Sequence, residues 1–169
     1  MIHLTNLKAL IPCFYFAFFS NRQMLDGATT PLMSFNLKKQ NGADENEQKI
    51  IGKEFDLALF FQMFARDEIE TIFAECKTFG SFADSDIEKM EILGKKFPGA
   101  ILTFAKLCDL TEAEKQSLSG LVCRSDNPIL VLTAEELLKQ SLDAEFNLTR
   151  HADFDELCRR TRHKHLEAV

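Results

Sequence analysis

The sequence has no tryptophan, a single tyrosine and no pair of cysteines in a C-x-x-C spacing. Its five cysteines are an odd number at widely spaced positions, 13, 76, 108, 123 and 158. This pattern excludes a compact disulfide scaffold and a zinc ribbon or finger, and it is typical of free thiols in a reducing compartment. We therefore expect a cytoplasmic protein.

The sequence also lacks an apolar run long enough to cross a membrane. Its most apolar segment, residues 9–20 (ALIPCFYFAFFS), has 12 residues, whereas a spanning helix needs roughly 18 to 20. Pro12 interrupts this segment and no small-x-small cleavage site follows it, which argues against a signal peptide. We expect no membrane contact and a buried helix or strand at residues 9–20.

Glycine-rich motifs and an excess of positive charge are missing as well. G-x-x-x-x-G-K-[ST], G-x-G-x-x-G and G-x-S-x-G do not occur, so P-loop hydrolysis, dinucleotide binding and α/β-hydrolase chemistry have no support. The 20 Lys and Arg against 26 Asp and Glu give a net charge of −6, which argues against a protein that coats nucleic acid. An anionic partner must be held by a local patch or a metal.

What the sequence does contain is the material of one α/β domain. Its 169 residues are 46% hydrophobic and include 16 Phe, which is enough for a single bulky core. Three β-like runs in the first half predict an antiparallel meander; they are residues 31–37, 50–61 and 69–78.

After Gly80 the pattern alternates between helices and strands. Each predicted helix begins with a capping box, a hydroxyl followed by Glu three residues later; the pairs are Ser85 with Glu88, Thr111 with Glu114, and Thr133 with Glu136. Apolar runs at 100–107 and 128–132 predict the strands between them. Strands joined through helices are parallel neighbours, so we predict one mixed sheet flanked by helices.

The second and third β-like runs carry a charged patch. Side chains on a strand alternate between faces, so Glu54 shares a face with Asp56, and Glu75 with Lys77. A hairpin that turns between Ala65 and Arg66 sets Asp56 opposite Glu75, and Glu54 opposite Lys77. Cross-strand carboxylates repel each other, so two interpretations arise: an exposed ladder of ion pairs, or a divalent-cation site.

The divalent-cation interpretation predicts phosphodiester hydrolysis. Mg²⁺ prefers one or two carboxylates together with water and a substrate phosphate, and Asp56 and Glu75 can supply those carboxylates. Lys77 would then orient or help to deprotonate a metal-bound water and neutralise charge on the phosphate. We expect Mg²⁺, or Mn²⁺ in its place, as the cofactor.

This arrangement resembles the PD-(D/E)XK nuclease superfamily, which has the restriction-endonuclease-like fold. Asp56 matches the first acid of the family pattern and Glu75-Cys76-Lys77 the (D/E)-x-K element, which precedes a helix and another strand. The resemblance implies a metal-dependent deoxyribonuclease with Asp56, Glu75 and Lys77 as catalytic residues. It also implies metal binding by Asp56, Glu75 and the backbone carbonyl of Cys76.

Two departures from the family pattern leave alternatives open. Phe55 replaces the Pro of the family name, which leaves the carboxylate chemistry unchanged. Many members carry a Glu on a helix before the meander, but this chain has only Asp26 before residue 31 and Glu45 and Glu47 in a polar loop. Either Glu54 serves as the additional metal ligand or the chain is a catalytically inactive copy of the fold that binds DNA or a protein partner.

The C-terminal part contains the densest group of basic residues in the sequence. The resemblance covers residues 50–138 within a predicted single domain, 1–138, and residues 139–169 form a predicted helical, basic extension. This extension contains RRTRHKH at 159–165, and its cations are either a solvated helix end or a DNA contact; the residues in question are Arg159, Arg160, Arg162 and Lys164. We expect DNA as the partner, and a homodimer as the alternative to a monomer.

Overall fold

The computed structural model of the protein describes residues 27–36, 54–63, 69–138 and 154–167. The apolar segment 9–20 and the acids Asp26, Glu45 and Glu47 lie outside the described residues. Within the described ranges, no helix has the length and apolar character that crossing a membrane requires.

The described part contains strands first and then strands and helices in alternation. The elements in chain order are β1 (Gly27–Asn36), β2 (Glu54–Met63), β3 (Ile69–Lys77), α1 (Asp84–Lys96), β4 (Ile101–Lys106), α2 (Glu112–Arg124), β5 (Ile129–Leu132), α3 (Ala134–Leu138) and α4 (Phe154–Leu166). The predicted β-rich first half and α/β second half are both present.

The five strands form one sheet in the order β1-β2-β3-β4-β5. The pairs β1–β2 and β2–β3 are antiparallel, whereas β3–β4 and β4–β5 are parallel. Each parallel pair is joined by a helix, because parallel neighbours need a long crossover. The predicted fold class, an α/β mixed sheet in which an antiparallel meander is followed by β-α-β units, is confirmed.

Helices cover both faces of this sheet, and β4 and β5 are buried along their whole length. On one face α1 and α2 pack over strand residues such as Phe104. On the other face Leu157 and Cys158 of α4 pack against Leu130 and Leu132 of β5. The backbone N–H of Val131 donates to Thr161 Oγ1 of α4 at 3.4 Å, so this helix of the predicted extension is part of the core.

The N-terminal ends of α1, α2 and α3 can be compared with the predicted capping boxes. Thr111 with Glu114 forms the box expected for α2, and the backbone and hydroxyl of Thr133 both donate to Glu136 before α3. For α1 the prediction was wrong, because the N-cap is Ala83 and its N–H donates to Asp86 at 3.0 Å. Asp86 stands three residues after Ala83, the spacing at which a carboxylate reaches back to a free amide.

One side chain of β2 departs from simple alternation. Leu57 and Leu59 pack on the α4 face as alternation predicts, but Phe55 joins the cluster beneath α1, together with Ala58. The β2–β3 ladder ends at Leu57, whereas β1 continues to pair with β2 as far as Glu54. This position brings the Phe55 ring next to the charged patch.

Candidate active site

The site lies where β2 and β3 stop pairing with each other. Their observed register pairs Leu57 with Ala74 and is the register predicted from the sequence. One position beyond that pair, Asp56 Oδ2 accepts a hydrogen bond from the backbone N–H of Cys76 at 2.7 Å. The side chain of Asp56 thus continues the connection between the strands after the backbone ladder has ended, and this fixes its carboxylate at the end of the hairpin.

Glu75 is the most buried carboxylate of the site, with 3% of its surface exposed. Its Oε1 accepts a hydrogen bond from Lys77 Nζ at 2.8 Å, and its Oε2 accepts one from Lys89 Nζ. Burial of a carboxylate requires such partners, because an unpaired charge in the interior is strongly unfavourable. Glu75 therefore has an ammonium group on each oxygen.

Two residues of α1 complete the site, and sequence reasoning missed both. Asp86 Oδ2 lies 3.0 Å from Lys77 Nζ, and Lys89 reaches Glu75 from the same helix. The available signal was the position of Lys89, three and four residues before Ile92 and Leu93, within the buried stripe of α1. A charge inside an apolar stripe usually has a buried partner.

The surroundings of Asp56 favour its protonated form more than those of an exposed aspartate. Burial raises the pKa of Asp56, and the negative charge of Glu75 raises it further, while the N–H of Cys76 and the charges of Lys89 and Lys77 lower it. The net pKa is above the usual value. A bound cation would favour the ionised form instead.

The same surroundings raise the pKa of Lys77 and that of the Cys76 thiol. Burial lowers the pKa of Lys77, but the hydrogen bonds and charges of Glu75 and Asp86 raise it more, so it lies above that of an ordinary lysine. Lys77 therefore carries a proton at neutral pH and acts as a cation. Burial, followed by the charges of Asp56 and Glu75, raises the pKa of the Cys76 thiol well above its usual value, so this thiol is a poor nucleophile.

These residues line a cleft of about 410 Å³. Glu54 is exposed at its wall, and Phe79, with 75% of its surface exposed, lines it on the side of the loop after β3. Four carboxylates and two ammonium groups face this space, which leaves two negative charges in excess when all are ionised; the groups are Glu54, Asp56, Glu75, Asp86, Lys77 and Lys89.

The donor set of the cleft fits a hard divalent cation better than zinc. No cluster of three or more His, Cys, Asp or Glu able to hold a metal occurs among the described residues, and zinc sites usually need three or four such ligands. Mg²⁺ needs fewer, since it keeps several waters and uses one or two carboxylates together with substrate phosphates. Asp56 and Glu75 suit that requirement, and the excess negative charge suits a dication.

The basic residues of α4 lie elsewhere, because α4 packs beside β5, at the end of the sheet order, whereas β2, β3 and α1 line the cleft. Arg159 Nε lies 2.7 Å and Arg160 Nε 2.6 Å from carboxylate oxygens of Glu156. Arg162 is half-buried and lines a groove of about 520 Å³ together with residues of α2, among them Cys123. Contact of these arginines with DNA stays a prediction.

Lys164, the fourth predicted DNA-binding residue, forms an ion pair with a buried carboxylate. Its Nζ lies 2.7 Å from Oε1 of Glu136, which is 1% exposed, and His165 Nε2 lies 3.0 Å from the same oxygen. Glu136 also accepts hydrogen bonds from the backbone and hydroxyl of Thr133. Lys164 therefore has a structural role that the sequence did not indicate.

Comparisons with known proteins give little beyond this geometry. No protein-family model matches the chain, and no curated protein matches it. Among solved structures, it is similar to the MspJI restriction endonuclease in complex with a 27-mer oligonucleotide, with 9% sequence identity and a TM-score of 0.39. The similarity covers 98% of this chain and 37% of that one.

Proposed function

We propose that the chain is a metal-dependent deoxyribonuclease that hydrolyses phosphodiester bonds at the cleft between β2, β3 and α1. The observation that carries the proposal is the convergence of Asp56, Glu75 and Lys77 on that cleft, in the strand register and before the helix that the (D/E)-x-K pattern requires. The proposal includes a reducing, cytoplasmic setting, which the odd number and wide spacing of the cysteines in the sequence favour.

The residues that would hold Mg²⁺ or Mn²⁺ are Asp56 and Glu75, with the backbone carbonyl of Cys76 as a further ligand. Glu54 lies at the wall of the same cleft, but no group of three such acids able to hold a metal occurs among the described residues. A divalent cation supplies Lewis-acid activation of water and of the phosphate when it is bound. The protein's own contribution is to hold the Asp56 carboxylate through the Cys76 N–H and to exclude water from Glu75.

Lys77 contributes positive charge next to the reacting phosphate. Its ammonium group is half-buried between Glu75 and Asp86, and it keeps its proton because both carboxylates stabilise the charged form. It therefore neutralises negative charge that develops on a phosphate and donates hydrogen bonds to it.

A second candidate function is a catalytically inactive module that binds DNA or a protein partner. The observation in its favour is that both oxygens of Glu75 already have ammonium partners, Lys77 and Lys89. In an inactive copy these lysines would replace the metal as counter-charges for Glu75. The two candidates differ in a single measurable property, which is metal-dependent cleavage.

Nicking of a supercoiled plasmid in Mg²⁺ or Mn²⁺ tests the proposal. We expect cleavage by the wild type that EDTA abolishes, and a loss of about a hundredfold or more in Asp56→Asn and Lys77→Met. Lys95→Met, on an exposed residue at the end of α1, is the matched control, with circular dichroism on every sample. Full activity in either cleft variant would refute the assignment, and absence of wild-type cleavage with retained DNA binding would support the inactive module.

A further inference from the structure

Lys89 is a buried charge in the cleft, because its side chain is 6% exposed. Its Nζ donates to Glu75 Oε2 and to the backbone carbonyl of Glu54 at 2.9 Å. The same ammonium group lies over the Phe55 ring, 5.0 Å from its centroid. A buried ammonium is costly without such partners, and here a carboxylate, a carbonyl and an aromatic face supply them.

We propose that Lys89 is a positioning residue whose ammonium group competes with a divalent cation for the Glu75 carboxylate and so sets the metal affinity of the cleft. The inference rests on the proposed function in one respect, the assignment of Glu75 as a metal ligand. It goes beyond that function because it explains how the cleft remains assembled without metal. It also identifies a residue outside the Asp…Glu-x-Lys pattern as the determinant of metal affinity.

The contacts of the two lysines distinguish their effects on Glu75. Lys77 is 26% exposed and has a second carboxylate, Asp86, at 3.0 Å, so it keeps an ion pair if its contact with Glu75 weakens. Lys89 has Glu75 as its carboxylate partner, and the Glu54 carbonyl and the Phe55 ring hold its ammonium group in place. A cation that approaches Glu75 therefore meets a fixed, desolvated positive charge at Lys89.

The positive charge of Lys89 can be removed by substitution without a large change in side-chain volume. Methionine has a similar unbranched stem, and it would lie against Phe55 as the lysine stem does. If Lys89 were only structural, Lys89→Met would lower stability and would leave metal affinity unchanged or weaker. If it competes with metal, the variant gains affinity, an effect that general destabilisation does not produce.

The experiment is a calorimetric titration of the full chain with Mn²⁺ in the absence of DNA. We expect Lys89→Met to bind Mn²⁺ about tenfold or more tightly than the wild type, and Lys89→Arg, which keeps the charge, to bind as the wild type does. Lys95→Met controls for loss of a lysine charge on α1. Asp56→Asn combined with Lys89→Met should lose the gain, because it removes one of the two carboxylate ligands.

Equal or weaker Mn²⁺ binding by Lys89→Met would overturn the inference, as would failure of both proteins to bind Mn²⁺. Should Lys89→Met fail to fold by circular dichroism, Lys89→Gln carries the same expectation, since its amide can still donate to the Glu54 carbonyl. Plasmid nicking separates this result from the proposed function. A gain in affinity without any wild-type cleavage would support the role of Lys89 and refute the nuclease, and cleavage without a gain would do the reverse.

Discussion

Asp56 accepts a hydrogen bond from the backbone N–H of Cys76 at the position where the β2–β3 ladder ends. The contact joins Asp56 to the Glu75-Cys76-Lys77 segment, because Cys76 is the residue between Glu75 and Lys77. A carboxylate held in this way needs no reorganisation of its strand to face Glu75. The distance between the strands, rather than a flexible loop, therefore determines the separation of the two acids.

Replacement of Asp56 by asparagine tests the repulsion between these acids. Asparagine keeps an oxygen acceptor for the Cys76 N–H and removes the negative charge next to Glu75. We expect Asp56→Asn to raise the metal-free melting temperature by about 2–4 °C, which corresponds to about 1 kcal/mol in a chain of this size. The further rise that millimolar Mg²⁺ or Mn²⁺ produces in the wild type should shrink, because a ligand that binds only the native state stabilises it less when its affinity is lower.

Differential scanning fluorimetry with and without metal measures both effects. Asp126→Asn, on an exposed carboxylate in the loop before β5, is the matched control and should behave as the wild type does. Identical metal responses in the wild type and Asp56→Asn would mean that Asp56 does not bind the cation.

The hairpin and its register could be predicted because both depend on local sequence. Alternation places Glu54 and Asp56 on one face, and the polar break near Arg66 fixes the centre of the turn. The same is true of the box formed by Thr111 and Glu114, in which both partners lie within one helical turn. These features require no knowledge of the remainder of the chain.

The role of Lys89 could not be predicted in this way. Its contact with Glu75 depends on how α1 lies across the sheet, and many side chains from both elements decide that packing. The position of Phe55 depends on the same packing, since β1 still pairs with β2 at this residue and the ring nevertheless joins the cluster beneath α1. At the start of α1 two pairs have the spacing of a capping box, Ser85 with Glu88 and Ala83 with Asp86. The second pair forms the cap, and the spacing alone could not decide between them.

The buried pair of Lys106 and Glu114 provides a stability prediction outside the cleft. Glu114 accepts hydrogen bonds from Lys106 Nζ at 2.8 and 2.9 Å and from the backbone N–H groups of Phe82 and Thr111 at 2.8 Å. We expect Glu114→Ala to lower the free energy of unfolding by about 3–5 kcal/mol, since it leaves a buried ammonium group without its carboxylate. Lys106→Met should cost less, because Glu114 retains both backbone donors.

Urea denaturation followed by circular dichroism measures these free energies. Lys115→Met disrupts the exposed pair with Glu112 and should change stability by less than about 1 kcal/mol. An equal loss in Glu114→Ala and Lys106→Met would show that the ion pair, rather than the backbone contacts of Glu114, dominates this site.

Glu136 predicts a pH dependence of stability. Burial raises the pKa of Glu136, but hydrogen bonds from His165, Lys164 and the Thr133 backbone lower it more, to about 2. A carboxylate whose pKa is lower in the folded state stabilises the fold above its unfolded pKa of about 4.5, and this contribution is lost as the pH falls towards 2. The stability difference between wild type and Glu136→Gln should therefore be constant above about pH 5 and shrink below it.

Unfolding free energies of both proteins between pH 3 and pH 7 would show this behaviour. Glu112→Gln, on an exposed glutamate with a surface partner, is the control and should track the wild type at every pH. A difference between wild type and Glu136→Gln that grows as the pH falls would contradict the assigned direction of the pKa shift.

The arginines of α4 test whether this helix contacts DNA. Removal of the helix is unsuitable, because Leu157 and Leu166 are buried, so the charges are replaced instead. Each phosphate contact lowers log affinity by about 0.9 per unit of log salt on duplex DNA. If Arg159 and Arg162 both touch phosphates, the double variant Arg159→Gln with Arg162→Gln should flatten that slope by roughly two units.

Fluorescence anisotropy of a short duplex at several salt concentrations, with Ca²⁺ in place of Mg²⁺, measures the slope. Arg124→Gln at the exposed end of α2 is the control. A slope equal to that of the wild type would identify the α4 cations as a solvated surface that pairs with its own carboxylates, and would leave DNA binding to the cleft.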